Sequence, residues 1–119
     1  PNKQLEEIEE LVSYFIVPTM KSMHSTGGAV NALIYDLQLD CIMDFGTNDG
    51  LKINLNDKCY PYHPFIPPHA KKNRKLLINL FEKEDFVVDL KEYWHFDYGN
   101  TSWAARKGKK NAIYGNIKK

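Results

Sequence analysis

Four residues have types and spacing that could do chemistry together: His24, Asn31, Glu92 and His95. His24 stands just before Gly27-Gly28, a pair small enough to let backbone approach closely. Asn31 is the polar residue on the half-buried strand that the Gly-Gly turn feeds. Glu92 precedes His95 by three positions in the run Glu92-Tyr93-Trp94-His95. On a straight strand that offset sends the two side chains to opposite faces, so a shared site needs a bend, a bulge or a helical turn. A hydrolytic zinc centre needs about three protein ligands, an open position for water and a carboxylate that is not a ligand. Zinc brings the pKa of its bound water to about 7, and the carboxylate takes and returns the proton. Two histidines and a glutamate meet most of that requirement. The competing reading of the second cluster is an aromatic core strand carrying a surface glutamate. His63 and His69 lie among prolines without an acidic neighbour at ligand-like spacing, and read as exposed or hydrogen-bonded histidines.

The chain that must position these residues has 119 residues, enough for one domain, 1–119, with its own core. Its apolar content of 43% and charged content of 26% are ordinary for a globular protein. A net charge of +1 gives no general attraction to nucleic acid or to an anionic membrane. The basic run KKNRK, Lys71 to Lys75, has no aromatic platform beside it and reads as the solvated face of a helix. No apolar run approaches the ~18 residues of a membrane span. Cys41 and Cys59 lack C-x-x-C spacing and read as reduced, partly buried thiols, with a single disulfide as the alternative. The chain opens Pro1-Asn2-Lys3, without Met, and is expected to be a fragment or to lack its start. The expected compartment is the cytoplasm.

Leu5, Ile8, Leu11, Val12 and Phe15 recur at helical spacing, predicting a helix from Lys3 to Phe15 with Asn2 as its cap and Pro18 as its stop. Ala29 to Tyr35 reads as a strand, with Ala29, Asn31, Leu33 and Tyr35 on one face and Val30, Ala32 and Ile34 on the other. A second strand near Asp40 to Phe45 completes an antiparallel hairpin. Four prolines between Pro61 and Pro68 predict an ordered, irregular loop. A second helix follows over Pro68 to Lys83, with Leu76, Leu77, Leu80 and Phe81 as its apolar positions. Phe86 to Leu90 and Tyr93 to Phe96 read as strands. The tail after Tyr98 reads as mostly loop, with Trp103, Ile113 and Tyr114 available to pin it to the body. The sum is an α+β domain: a small, mainly antiparallel sheet with flanking helices.

The segment SMHSTGGAVNALIYD, Ser22 to Asp36, followed by LDCIMDFGT, resembles the metal-binding segment of the D-alanyl-D-alanine dipeptidases. These are zinc peptidases that include the vancomycin-resistance dipeptidase. Their pattern runs S-x-H-x-x-G-x-A-x-D and later E-x-W-H, which here is Glu92-Tyr93-Trp94-His95. The continuation WHFDYGN, Trp103 and AIYG at Ala112 to Gly115 also resemble the family's C-terminal stretch. The resemblance implies a Hedgehog-like fold and one zinc ion held by His24, His95 and the residue at Asn31. It implies Glu92 as the general base and acid that activates metal-bound water, with Ser22 and Tyr93 beside a small dipeptide substrate such as D-Ala-D-Ala. It implies no nucleic-acid partner and no membrane.

Three departures accompany it. Asn31 stands where the family has an aspartate ligand, and a neutral amide oxygen is a poorer zinc donor than a carboxylate. The family's N-terminal section, with an arginine held to stabilise the transition state, would precede the first residue of this chain. The loop reads Thr47-Asn48-Asp49-Gly50 where many members have G-T-x-F-D, leaving Asp49 one residue out of step. The alternative expectation is therefore an impaired or inactive family member that serves as a binding or structural domain.

Overall fold

The computed structural model describes residues 23–47 and 57–115. The helix expected from Lys3 to Phe15, together with Ser22 and Asp49, lies outside the described residues.

The main sheet is organised on β5 (His95–Asp97), which pairs antiparallel with β1 (Ala29–Asn31) on one side and β4 (Val87–Val88) on the other. A separate antiparallel hairpin joins β2 (Tyr35–Asp36) to β3 (Cys41–Ile42). The hairpin is present as expected but shorter. Its turn is held by the Asp36 carboxylate, which accepts from the Gln38 and Leu39 amides at 2.8 and 3.0 Å. The fold is α+β with small antiparallel sheets.

The expected continuous strand from Ala29 to Tyr35 is instead two strands. β1 loses its partner after Asn31, because the facing chain turns at Glu92–His95; the last bridge there is Ala32 N–H to the Trp94 carbonyl, 2.8 Å. The expected alternation holds only beyond the break; within β1 it fails, Ala29 being buried and Val30 exposed. Ala32 and Ile34 pack on the core, while Leu33 and Tyr35 stay exposed.

That core contains Phe45, Leu77, Ile78, Val88, Tyr93 and Phe96, with Phe81 stacked on Phe96 at 4.0 Å between ring centroids. Each such side chain contributes roughly 1.5–3 kcal/mol through burial. Helix α1 (Pro68–Glu82) begins with proline in its first turn and lies where the sequence predicts. Its buried stripe differs from the expected one. Ala70, Arg74, Leu77 and Ile78 are buried, whereas Leu76 and Leu80 are about half exposed.

Arg74 therefore does not belong to a solvated basic face, although Lys71, Lys72 and Lys75 do. Its guanidinium donates to the carbonyls of Phe45, Tyr60 and Lys58 at 2.7, 2.8 and 2.6 Å. It also lies 4.2 Å from the centre of the Tyr93 ring. Burial lowers its pKa, but from so high a starting value that the charge is kept. One cation thus fastens the proline-rich segment, which has few backbone ladders of its own, to the helix and the core.

The tail after Tyr98 is not all loop. Asn100 caps a short helix, α2 (Thr101–Arg106), by accepting from the Trp103 amide at 2.9 Å. Trp103 is buried and its indole N–H reaches the Asp85 carbonyl at 2.7 Å, while Arg106 donates to the Val88 carbonyl at 2.7 Å. Ile113 and Tyr114 are partly exposed; their backbone amides both bond the Gly99 carbonyl, and the Tyr114 ring lies against Gly28 and Gly99, so both backbone and side chain hold this part of the tail. Among the described residues no helix is long and apolar enough to cross a membrane.

Gly28 is the tightest point in this frame. A Cβ there would come within 2.5 Å of the Tyr98 carbonyl oxygen, on the strand segment whose amide bonds the Gly28 carbonyl at 2.7 Å. Gly28→Ala should therefore destabilise the fold by about 1–3 kcal/mol, as overpacking against backbone does. Urea unfolding measures this, and a variant as stable as the parent would show that the β1–β5 approach is looser than described.

Candidate active site

Local hydrogen bonding sets the position of His24. It lies in the 3-10 turn Met23–Thr26, closed by Gly27 N–H to the His24 carbonyl at 3.2 Å. The Thr26 hydroxyl donates to the Met23 carbonyl at 2.6 Å and accepts from the Gly28 amide at 2.9 Å. Gly27 takes φ of 74°, which favours glycine. The His24 ring Nδ1 is 3.2 Å from the Ala29 carbonyl, which can only accept. Nδ1 therefore carries the hydrogen, and in the neutral ring the lone pair is on Nε2.

His95 is central in the sheet and buried, and its Nε2 is 2.9 Å from Oδ1 of Asp97. A carboxylate oxygen accepts here, so Nε2 is protonated and the neutral ring presents its lone pair on Nδ1. Asn31 is the cross-strand partner of His95 in the β1–β5 pairing, and its side chain is exposed. The His24 and His95 rings meet edge to face, 4.8 Å between centroids at 81°. The fold thus brings His24, Asn31 and His95 together from two distant stretches.

Glu92 arrives by the turn that its spacing required. His95 N–H reaches the Glu92 carbonyl at 3.3 Å, closing a turn between them. The Asp89 carboxylate accepts from the Lys91 and Glu92 amides at 2.9 and 3.0 Å, and the Asp89 amide donates to the His95 carbonyl at 2.8 Å. Asp89 therefore shapes the loop that carries Glu92. Burial pushes the Glu92 carboxyl pKa above the ordinary glutamate value, reinforced by the charges of Asp89 and Asp97 and opposed by His95. Burial draws the His95 pKa down, but the Asp97 hydrogen bond and the charges of Asp97, Asp89 and Glu92 outweigh it and leave the pKa raised.

Two imidazole lone pairs and an amide oxygen are chemically suited to zinc, with the amide as the weak member. A second donor set shares His95: ligand atoms of Asp89, His95 and Asp97 lie within 4.8 Å of one another. Both of its carboxylates already accept hydrogen bonds, Asp97 from His95 and Asn100, and Asp89 from two amides. Those bonds suit groups that hold and orient His95 and Glu92 better than they suit first ligands to an ion.

Tyr93 belongs to the core. It is 5% exposed, stacks on Phe45 and Arg74, and its hydroxyl is 2.7 Å from that of Thr47. Sequence reading missed the site's buried support at Asn100. Its signal was an Asn directly before TSWAAR, a capping residue ahead of a helix-compatible run.

A protein-family model described as D-ala-D-ala dipeptidase matches residues 2–112. The D-alanyl-D-alanine dipeptidase of Escherichia coli (strain K12) is 32% identical over 84 residues, covering 71% of this chain and 42% of the relative. The chain thus spans less than half the length of the curated relative it matches.

Proposed function

From the premise that the chain belongs to the D-ala-D-ala dipeptidase family of peptidases, we propose that it is a zinc-dependent dipeptidase domain. Its substrate would be D-Ala-D-Ala or a related small cell-wall dipeptide, met in the cytoplasm. The observation that carries this reading is the convergence of His24, Asn31 and His95, with Glu92 delivered beside them by the Asp89 turn. His24, Asn31 and His95 would hold one zinc ion. The ion would supply the Lewis acidity that makes water nucleophilic near neutral pH and polarises the scissile carbonyl.

Glu92 would take the proton from the attacking water and return it to the leaving amine. A carboxyl pKa raised by burial suits a group that must hold a proton part of the time. Asp97 would keep His95 in the form that presents Nδ1, and Gly28 would let the His24 turn lie close to the end of β5, with Gly27 supplying the positive φ of the turn. Ser22 and Tyr93 are assigned to the substrate side by the family resemblance. Since Tyr93 is a core residue, its part would be to fix Thr47 and the backbone of Glu92.

Metal content tests the reading first. The purified chain should take up close to one zinc per molecule, and His24→Ala and His95→Ala should each abolish that uptake. A folded chain that stays metal-free after soaking in zinc would sink the claim. The second reading, a family member without catalysis, is favoured by Asn31. Zinc uptake without D-Ala-D-Ala hydrolysis, unrelieved by Asn31→Asp, would establish it.

A further inference from the structure

Asn100 is fully buried, and its side-chain amide is committed at every polar position. Its Nδ2 donates to Oδ1 of Asp97 at 2.6 Å and to the Gly28 carbonyl at 3.2 Å, and its Oδ1 accepts from the Trp103 amide at 2.9 Å. Two of these partners can only accept and the third can only donate, so the orientation of the amide is decided by its surroundings. The three bonds join three parts of the fold: the strand that carries His95, the turn that follows His24, and the start of α2. That helix is itself fastened to the sheet through Trp103 and Arg106.

We propose that Asn100 is a positioning residue: by pinning Asp97 Oδ1 against His95 Nε2, it sets the His95 tautomer that presents Nδ1, and by holding Gly28 it keeps the His24 turn against β5. The same carboxylate oxygen takes both hydrogen bonds, so an Asp97 released from Asn100 can rotate away from the ring. His95 Nε2 would then lose the acceptor that fixes its hydrogen, and the neutral ring would populate both tautomers. The tautomer is a property of the metal-free chain and stands apart from any reaction. Only its consequence for zinc rests on the ligand reading given above.

The test separates these levels. Long-range 1H–15N NMR of the 15N-histidine-labelled, metal-free chain, at a pH where His95 is neutral, should show Nε2 protonated and Nδ1 unprotonated. If His95 of the parent carries its hydrogen on Nδ1, the proposal fails without any variant. Asn100→Ser keeps an oxygen that can cap α2 but is too short to reach Asp97. It should move His95 to a mixture of tautomers in a folded protein and weaken zinc binding by roughly 10–100-fold, as loss of ligand support does. Asp97→Asn keeps an oxygen able to accept both bonds and should leave the tautomer unchanged. In an Asp97→Ala background, adding Asn100→Ser should change the His95 signals no further, because the connection is already cut. A folded Asn100→Ser chain with unaltered His95 signals, or one whose effect persists in full without Asp97, would overturn the proposal. Mixed tautomers with no zinc uptake even by the parent would leave the positioning role standing and instead refute the metal reading.

Discussion

On the proposed function, Glu92→Gln should lower D-Ala-D-Ala hydrolysis by about 10²–10⁴-fold, the range expected when a general base is removed, and at the same time stabilise the fold. Both effects come from the same burial. The carboxyl is held on a turn shaped by Asp89, half-buried, with Asp89 and Asp97 nearby, and its charged form is disfavoured. An amide of the same shape carries no such penalty. The sign with pH follows from linkage. Glu92 titrates higher in the fold than its ordinary value of 4.5, so the folded state loses stability as pH rises from about there through the raised pKa. The stabilising effect of the substitution is therefore absent in acid and complete once Glu92 would be ionised. His95 adds a slope of the same sign at higher pH. Its pKa is raised above 6.5, so the stability it contributes is full below that value and is lost as pH rises through the raised one. Thermal melts of the metal-free chain between about pH 5 and 8 measure both. Zinc should still bind at the same stoichiometry, because Glu92 is not among the proposed ligands, with an affinity lowered only by the loss of one negative charge near His95. Hydrolysis equal to the parent's would remove Glu92 from the chemistry, and a melting temperature no higher at neutral pH would remove the burial penalty.

The sequence made the chemistry of the site more legible than its support. His24, Glu92 and His95 stand out through the resemblance to the family's two motifs; by spacing alone the second cluster reads as well as an aromatic core strand with a surface glutamate. Helix α1 is legible for a different reason: a long apolar period survives local noise. Its buried face was harder, because Arg74 falls at a core position of that period but within a basic run, and composition favours the solvated reading. Only the fold shows three carbonyls and an aromatic ring waiting for that cation. The length of β1 was hidden too. Alternation gives the inward face at Ala32 and Ile34, but it misplaces Ala29 and Val30 and does not record where the partner strand turns away. Helix α2 is too short for periodicity and is announced only by its cap. That cap, Asn100, is also the residue that links Asp97 to the glycine turn, a role written in tertiary contacts between residues far apart in the chain.

Asn31→Asp should raise zinc affinity by at least an order of magnitude, since exchanging a direct donor ought to match or exceed the 10–100-fold effects of changing a ligand's support. Asn31 faces His95 across the β1–β5 pairing, where a carboxylate would add an anionic donor to two imidazoles. The surroundings moderate that gain. Asp89, Glu92 and Asp97 already place negative charge around His95, so the site with Asn31 is less starved of anions than the donor set alone suggests. The added charge also has a cost in the metal-free chain. It joins carboxylates that already repel one another and should raise the His95 pKa further, so zinc must displace a proton held more tightly. Metal-free Asn31→Asp is thus expected to melt at or below the parent temperature near neutral pH, while the zinc-loaded variant melts above the zinc-loaded parent. At a free zinc concentration 100 times the dissociation constant, binding contributes about 2.7 kcal/mol, so the reversal is readily seen in thermal melts. The affinity gain should grow with pH as His95 loses its proton. Chelator competition at two pH values measures it, and a variant that binds zinc no more tightly at either would mean that position 31 is not a ligand position at all. If affinity rises and hydrolysis does not, the donor at position 31 is not what limits hydrolysis.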